Sequence, residues 1–235
     1  MMKKRVLLKI SGEALLGEQD YGIDNKVVDK IAQEIKNVGN NVEIAIVVGG
    51  GNIFRGMELS NSTGMTRATA DSMGMLATIM NAIALKDRFM LSGIQTQILS
   101  AFSIYSMIEG FERDKAIRIL NNGNVLIIAG GTSLPYFTTD STAVLRALEV
   151  GASVVLKATN VDGIYDKDPR KHSDAVMYDS ISFTEAINRN LRVMDMTAFA
   201  MANDNNMPIK VFNMNTQGNI TKAILGENIG TFVHN

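Results

Sequence analysis

The chain has 235 residues, 46% hydrophobic and 20% charged, with Lys+Arg 23 against Asp+Glu 24 and a net charge of -1. That length suits one large α/β core or two small ones, and the near-neutral charge argues against a broad nucleic-acid-binding surface, which needs a basic excess. The absence of cysteine excludes disulfide scaffolds, thiol nucleophiles and cysteine metal sites; the opening MMKKRVLLKISGEA has too short an apolar run for a signal peptide and no stretch approaches a membrane span, so a cytoplasmic location and no membrane partner are expected.

The first strand is expected over Arg5–Ile10, with Lys9 inside an apolar run and Ser11-Gly12-Glu13 after it. A lysine in such a strand costs several kcal/mol unless its charge meets an anion or emerges at a site; the bland alternative is a lysine snorkelling from an edge strand. Asp24 can cap a helix whose Val27, Ile31, Ile35 and Val38 share one face. A second strand, Glu43–Val48, ends in Gly49-Gly50-Gly51-Asn52. Three glycines let backbone N–H groups approach a phosphate closely, and Arg55 beyond them could clamp it bidentately; a plain strand-to-helix turn is the simpler reading. The Walker A and GxGxxG fingerprints are both absent.

A long helix is expected from about Thr69 to Phe89, with Met73, Leu76, Ala77, Met80 and Ala84 as its buried stripe, and with Arg67 and Asp71 as an i,i+4 pair at its start. Strands follow at Thr96–Leu99 and Val125–Ala129. The second runs into Gly131-Thr132-Ser133-Leu134-Pro135-Tyr136-Phe137-Thr138-Thr139-Asp140-Ser141, which opens a helix burying Ala143, Val144, Ala147 and Leu148. Thr139, Asp140 or Ser141 can serve as its N-cap, but the polar residues there outnumber what capping requires. A strand at Ser153–Lys157 leads into Thr159-Asn160-Val161-Asp162-Gly163-Ile164-Tyr165-Asp166-Lys167-Asp168-Pro169. This is a turn-rich loop whose tyrosine and aspartates would also suit a purine nucleotide; its spacing fits no EF-hand. Ile209–Phe212 is the last strand expected. Lone His172 and His234 read as surface residues, which leaves no Ser/His or Cys/His nucleophile. The strands are continuous apolar runs, as in a parallel sheet covered on both faces. Alternation with helices predicts an α/β/α sandwich that binds ligands beyond its strands' carboxyl ends.

LLKISGEAL, IAIVVGGGNIFRG, TADSMGMLATIMNAIAL, GTSLPYFTTDS, LKATNVDGIYDKDP, LRVMDMTAFAMA and IKVFNMN together resemble the bacterial UMP kinases of the amino acid kinase family, in order and with matching spacing. The resemblance implies a single domain over residues 1–235, a three-layer α/β/α sandwich around a mainly parallel sheet, and phosphoryl transfer from ATP to UMP. It implies that Lys9 neutralises the transferring phosphoryl group, with Asp140 and Asp195 orienting Lys9 and the metal-nucleotide. On the ATP side it places Ile10, Ser11, Gly12, Gly51, Arg55, Thr159, Tyr165 and Asp168. On the UMP side it places Gly50, Arg55, Asp71, Thr132, Ser133, Leu134, Pro135, Tyr136, Phe137, Thr138 and Thr139. Mg²⁺ is expected to be held mainly through the nucleotide phosphates, UTP to inhibit, and the chain to form homohexamers. Two departures stand out: the family's usual Gly-Thr-Gly-Asn-Pro is Gly131-Thr132-Ser133-Leu134-Pro135 here, and Lys86, Met90 and Gln97 replace the residues typical of GTP-activated members. Fold-sharing alternatives are an acyl-phosphate-forming kinase and a non-catalytic nucleotide-binding protein.

Overall fold

The computed structural model describes residues 3–54, 64–191 and 194–235. Strands β1 (Lys4–Ile10), β2 (Val42–Val48), β3 (Thr96–Ser100), β4 (Glu109–Gly110), β5 (Val125–Ala129), β6 (Val155–Thr159), β7 (Ser180–Ser182), β8 (Ile209–Asn213) and β9 (Thr231–His234) join in one sheet. Their order among the described residues is β4-β3-β5-β2-β1-β6-β8-β9-β7. Every described pairing is parallel except β8 with β9. The helices are α1 (Asn25–Val38), α2 (Arg67–Leu91), α3 (Arg113–Asn121), α4 (Thr139–Val150), α5 (Phe183–Asn188), α6 (Met196–Asp204) and α7 (Asn219–Leu225).

The pleat divides the core in two. Val6, Leu8 and Ile10 of β1 point into one apolar cluster with α1, α2 and α7. Leu7, between them, points into a second cluster with α3, α4, α5 and α6. This alternation makes the three layers, since successive side chains of a strand leave opposite faces. Each expected strand is present within a residue or two of its predicted ends. The short strands β4, β7 and β9 lay outside the sequence expectation.

Helix α1 follows its pattern: Asp24 accepts from the Lys26 N–H as N-cap, and Ile31, Ile35 and Val38 are buried. Helix α2 corrects the expectation. Its buried face is Ala70, Ala77, Thr78, Ile79, Asn81, Ala82, Leu85 and Phe89, whereas the expected stripe residues Met73, Leu76 and Met80 are exposed. The helix is apolar on two sides: Gly74 and Ala77 allow close approach to the glycine turn, while Ile79, Leu85 and Phe89 fill the core. By length and composition α2 could cross a membrane, contrary to the sequence expectation; in this fold it packs on the sheet and carries buried Thr78 and Asn81.

Candidate active site

Four adjacent strands, β5, β2, β1 and β6, bring their carboxyl ends together, and the unusual residues of the sequence stand there. In the parallel register of β1 and β6, Lys9 is paired directly with Lys157. Strands lie about 4.8 Å apart, so two like charges side by side on one face need an anion between them. Asp140 supplies it. Its Oδ2 accepts from Lys157 Nζ at 2.7 Å, and Lys9 Nζ lies 2.9 Å from Oδ1. The Lys9 contact is an ion pair rather than a well-aligned hydrogen bond, since Oδ1 has no hydrogen-bond partner among the described residues. Side-chain exposures of 10%, 14% and 15% for Lys9, Asp140 and Lys157 keep water largely out and the charges strongly coupled. Burial pushes the Asp140 carboxyl up, but Lys9 and Lys157 outweigh it and hold it below the usual carboxylate value. Burial, with Lys9 adding to it, lowers the Lys157 ammonium despite Asp140.

Asp140 is free for this role because it does not cap its helix. The N-cap of α4 is Thr138, whose hydroxyl accepts from the N–H groups of Asp140 and Ser141; the sequence had offered Thr139, Asp140 or Ser141. Asp195 caps α6 through the Ala198 N–H at 2.9 Å and accepts from the hydroxyls of Thr138 and Ser141. It therefore braces the start of α4, and its charge acts on Lys157; the described hydrogen bonds and ion pairs do not join it to Lys9.

The Gly49–Gly51 turn lies against the start of the Gly12–Leu15 helical turn. A Cβ on Gly12 would stand 2.6 Å from Gly51 N, and one on Gly50 would stand 2.7 Å from Gly74 O, so neither position can carry a side chain. One cleft opens on this turn, lined by Gly50 and Gly51, and another opens beside it, past Ser11 and Glu13. The larger, about 1060 Å³, is walled by Lys9, Ser11, Glu13, Lys157, Thr159 and Asn160 together with parts of α1 and the segment before α7. The smaller, about 130 Å³, is lined by Gly50, Gly51, Asp71, Thr132, Leu134, Phe137, Thr138 and Thr139 among others.

The 131–139 loop is held from α2. Asp71, paired with Arg67 at 2.8 Å, accepts from the Tyr136 N–H at 2.8 Å, and Thr78 Oγ1 accepts from the Gly130 N–H at 2.8 Å. Ser133 and Tyr136 have φ of 67° and 70°, strained for residues with a side chain. The Thr132 hydroxyl bridges the N–H and carbonyl of Leu134, whose side chain is exposed.

Among the expected ATP-side residues, Lys9, Ser11 and Thr159 line the large cleft, whereas Gly12 lines neither cleft and Gly51 lines the small one. The Ile10 side chain is wholly buried, so Ile10 can meet a ligand only through its backbone. Tyr165 and Asp168 are not part of the cleft wall. Burial and Asp162 push the Tyr165 phenol up, while the Arg170 N–H holds the Asp168 carboxyl down. Among the expected UMP-side residues, Gly50, Asp71, Thr132, Leu134, Phe137, Thr138 and Thr139 line the small cleft, whereas Ser133, Pro135 and Tyr136 belong to its loop but not to its wall. Arg55, expected on both sides, lies outside the described residues. Lys157 escaped the sequence reading, although it interrupts the apolar run VVLKA as Lys9 interrupts LLKI.

A cleft on a side-chain-free turn, a larger one beside it and a pair of buried cations suit an enzyme that moves a phosphoryl group between two bound molecules. The sequence pattern of the amino acid kinase family matches residues 4–213, and the chain belongs to that family. It is 50% identical over 231 residues to the uridylate kinases of Xanthomonas oryzae pv. oryzae and Xanthomonas campestris pv. campestris, covering 98% of this chain and 96% of each relative. Its fold is similar to the crystal structure of UMP kinase from Ureaplasma parvum, with a TM-score of 0.95 and 35% identity over the whole of both chains. The UMP kinase of Bacillus anthracis gives a TM-score of 0.94 at 34% identity, covering 100% of this chain and 97% of that one.

Proposed function

We propose that the protein transfers the γ-phosphoryl group of ATP to UMP, giving UDP and ADP. The observation that carries this is the Lys9–Asp140–Lys157 cluster beside the glycine turn and the two clefts. ATP occupies the larger cleft, its phosphates toward Ser11, Gly12 and Gly51. UMP occupies the smaller one, with Asp71 at its ribose and Thr132, Thr138 and Thr139 around it. An oxygen of the UMP phosphate attacks the γ-phosphorus. The bond from γ-phosphorus to the bridging oxygen breaks, and ADP leaves with that electron pair. Lys9 and Lys157 stabilise the charge on the equatorial oxygens, while Asp140 fixes both ammonium groups and takes no proton. Asp195 holds Thr138 and Ser141 so that α4 presents its N-terminus to the site.

Both Asp140 oxygens face lysines and Asp195 is occupied by capping, and among the described residues no group of three metal-ligating side chains gathers. This favours Mg²⁺ entering on the nucleotide, whose phosphates would hold it and whose charge it would neutralise. The exposed apolar face of α2, with Met73, Leu76, Met80 and Ile83, supports self-association, and likeness to the UMP kinases supports a homohexamer inhibited by UTP in the cytoplasm.

ATP consumption measured in parallel with UMP, CMP, dUMP, carbamate and amino acids tests the assignment. Turnover is expected with UMP above the others, and none with UMP would overturn it. Lys9→Ala and Asp140→Ala should each lower kcat by roughly 10²–10³-fold, the usual loss of a transition-state charge partner, while circular dichroism stays native.

A further inference from the structure

The Gly49–Gly51 turn has no side chains to fix its shape, and two buried carboxamides fix it from behind. Asn52 and Asn81 are 3% and 0% exposed. Asn81 Nδ2 donates to Asn52 Oδ1 at 2.7 Å and Asn52 Nδ2 donates to Asn81 Oδ1 at 2.9 Å, a closed reciprocal pair. The remaining hydrogens go to backbone carbonyls: Asn81 to Gly49 at 2.7 Å, and Asn52 to Gly22 at 2.9 Å. The Gly22 N–H returns a bond to the Asn52 carbonyl at 3.0 Å. All four amide hydrogens are thus used, and three segments are tied at one point: α2, the glycine turn, and the loop that follows the Gly12–Leu15 turn. Neither side chain lines either cleft.

Burying carboxamides is costly unless every hydrogen bond is made; two apolar residues of similar shape would fill the same space but take the donors from the Gly49 and Gly22 carbonyls. A leucine pair could not hold the Gly49 carbonyl in one orientation. That carbonyl belongs to the peptide leading into Gly50, so holding it sets where the Gly50 N–H points. We propose that Asn81 is a positioning residue for phosphoryl transfer, which fixes the Gly49 carbonyl and thereby aims the Gly50 amide at the transferring phosphoryl group. This rests on the reading that the turn meets the phosphates.

The two amides are not equivalent, and the experiment uses that. In Asn52→Asp, Asn81 still has acceptors for both of its hydrogens. In Asn81→Asp, an acceptor-only group faces the Gly49 carbonyl. Steady-state kinetics at saturating Mg²⁺-ATP and UMP, on protein shown folded by circular dichroism, should give kcat lowered at least about tenfold in Asn81→Asp, since small misplacements of reacting groups cost that much or more. KM for UMP and ATP should change less than about threefold, because the nucleosides bind elsewhere, and Asn52→Asp should stay within about threefold of the parent kcat. The double variant Asn52→Leu/Asn81→Leu leaves no unpaired side-chain carboxamide and carries the same expected loss of kcat if Asn81→Asp does not fold. A kcat within about twofold of the parent in the folded variant that carries the test, or equal losses in Asn52→Asp and Asn81→Asp, overturns the proposal. Gly51→Ala separates this from failure of the underlying reading. An added methyl would meet its nearest neighbour at 3.5 Å, so the fold accepts it while a phosphate would not. If Gly51→Ala keeps parent kcat and KM, the turn does not meet phosphates and the proposal goes with that reading. If Gly51→Ala is impaired and Asn81→Asp is normal, only the positioning role is lost.

Discussion

Two lysines forced together by strand register would repel in a medium that screens poorly, and one aspartate between them turns that repulsion into a fixed cluster with a net positive charge. Asp140 therefore has a second duty, to the fold. Its folded pKa lies below the ordinary 3.8, so its stabilisation is complete above that value and is lost as the pH falls through the lowered folded pKa. The gap in urea midpoint between the parent and Asp140→Asn should hold above pH 3.8 and narrow below it; a gap constant down to strongly acid pH would show that the ion pairs contribute nothing. Lys157 gives the opposite limb. Its folded pKa is depressed from 10.5, and charged lysine is the useful form, so kcat/KM should decline with rising pH before an ordinary lysine would titrate. Lys157→Arg keeps its charge at all accessible pH and should move that decline upward. Lys157→Met should lose roughly 10²-fold in kcat at neutral pH. An unchanged alkaline limb in Lys157→Arg would remove Lys157 from the reaction. Lys9 was legible from sequence because it breaks an apolar run beside a glycine. Lys157 breaks one too, but its position opposite Lys9 follows from β1 lying beside β6, which no single strand discloses.

At the scale of one element, α2 carries the site on its inner stripe, Asp71, Gly74, Thr78 and Asn81, spaced three and four residues apart so that they share a face. Asp71 holds Tyr136 and Thr78 holds Gly130 in the segment after β5, and Asn81 holds the glycine turn. Thr78→Val removes the partner of the buried Gly130 N–H, a loss of about 1–3 kcal/mol. Much of it should appear as a raised KM for UMP with KM for ATP little changed, measured with one substrate varied at a time. The outer stripe, Met73, Leu76, Met80 and Ile83, is too apolar for a solvent face. Met80→Asp should shift the sedimentation profile to smaller species without loss of helicity; an unchanged profile would mean that this face is not a subunit contact. The helix itself could be expected from its pattern, but its inner face could not. Apolar periodicity marks surfaces that avoid water, and a core and a subunit contact avoid it equally. Strands β7 and β9 were missed for a related reason: they are short, and β9 is held in place by pairing with β8 and β7 rather than by an apolar run of its own.

Across the whole molecule, the sheet's polarity decides where chemistry can occur, because parallel strands deliver their carboxyl ends to one edge. The strand-end anomalies of the sequence, Lys9, the triple glycine, the 131–141 segment and Thr159, all arrive at that edge. The placing of two clefts at and beside the glycine turn was not legible, since it depends on Gly12 packing against Gly51 across β1 and β2. That arrangement has an electrostatic consequence. The described cluster offers two cations against one carboxylate, too little to neutralise an ATP tail and a UMP phosphate brought to one turn. UMP at about a hundredfold its Kd should add about 2.7 kcal/mol, raising the melting temperature of a chain this size by roughly 5–10 °C. A non-hydrolysable ATP analogue should do the same from the other cleft. With Mg²⁺ present, the two shifts should at least add. Without Mg²⁺, the combined shift should fall short of their sum, because the two sets of phosphate charges meet across the turn with insufficient counter-charge. Thermal shift with each ligand alone and both together, with and without Mg²⁺, decides this independently of turnover. Equal additivity in both conditions would mean that the protein's own cations suffice and that the phosphates do not converge on the glycine turn.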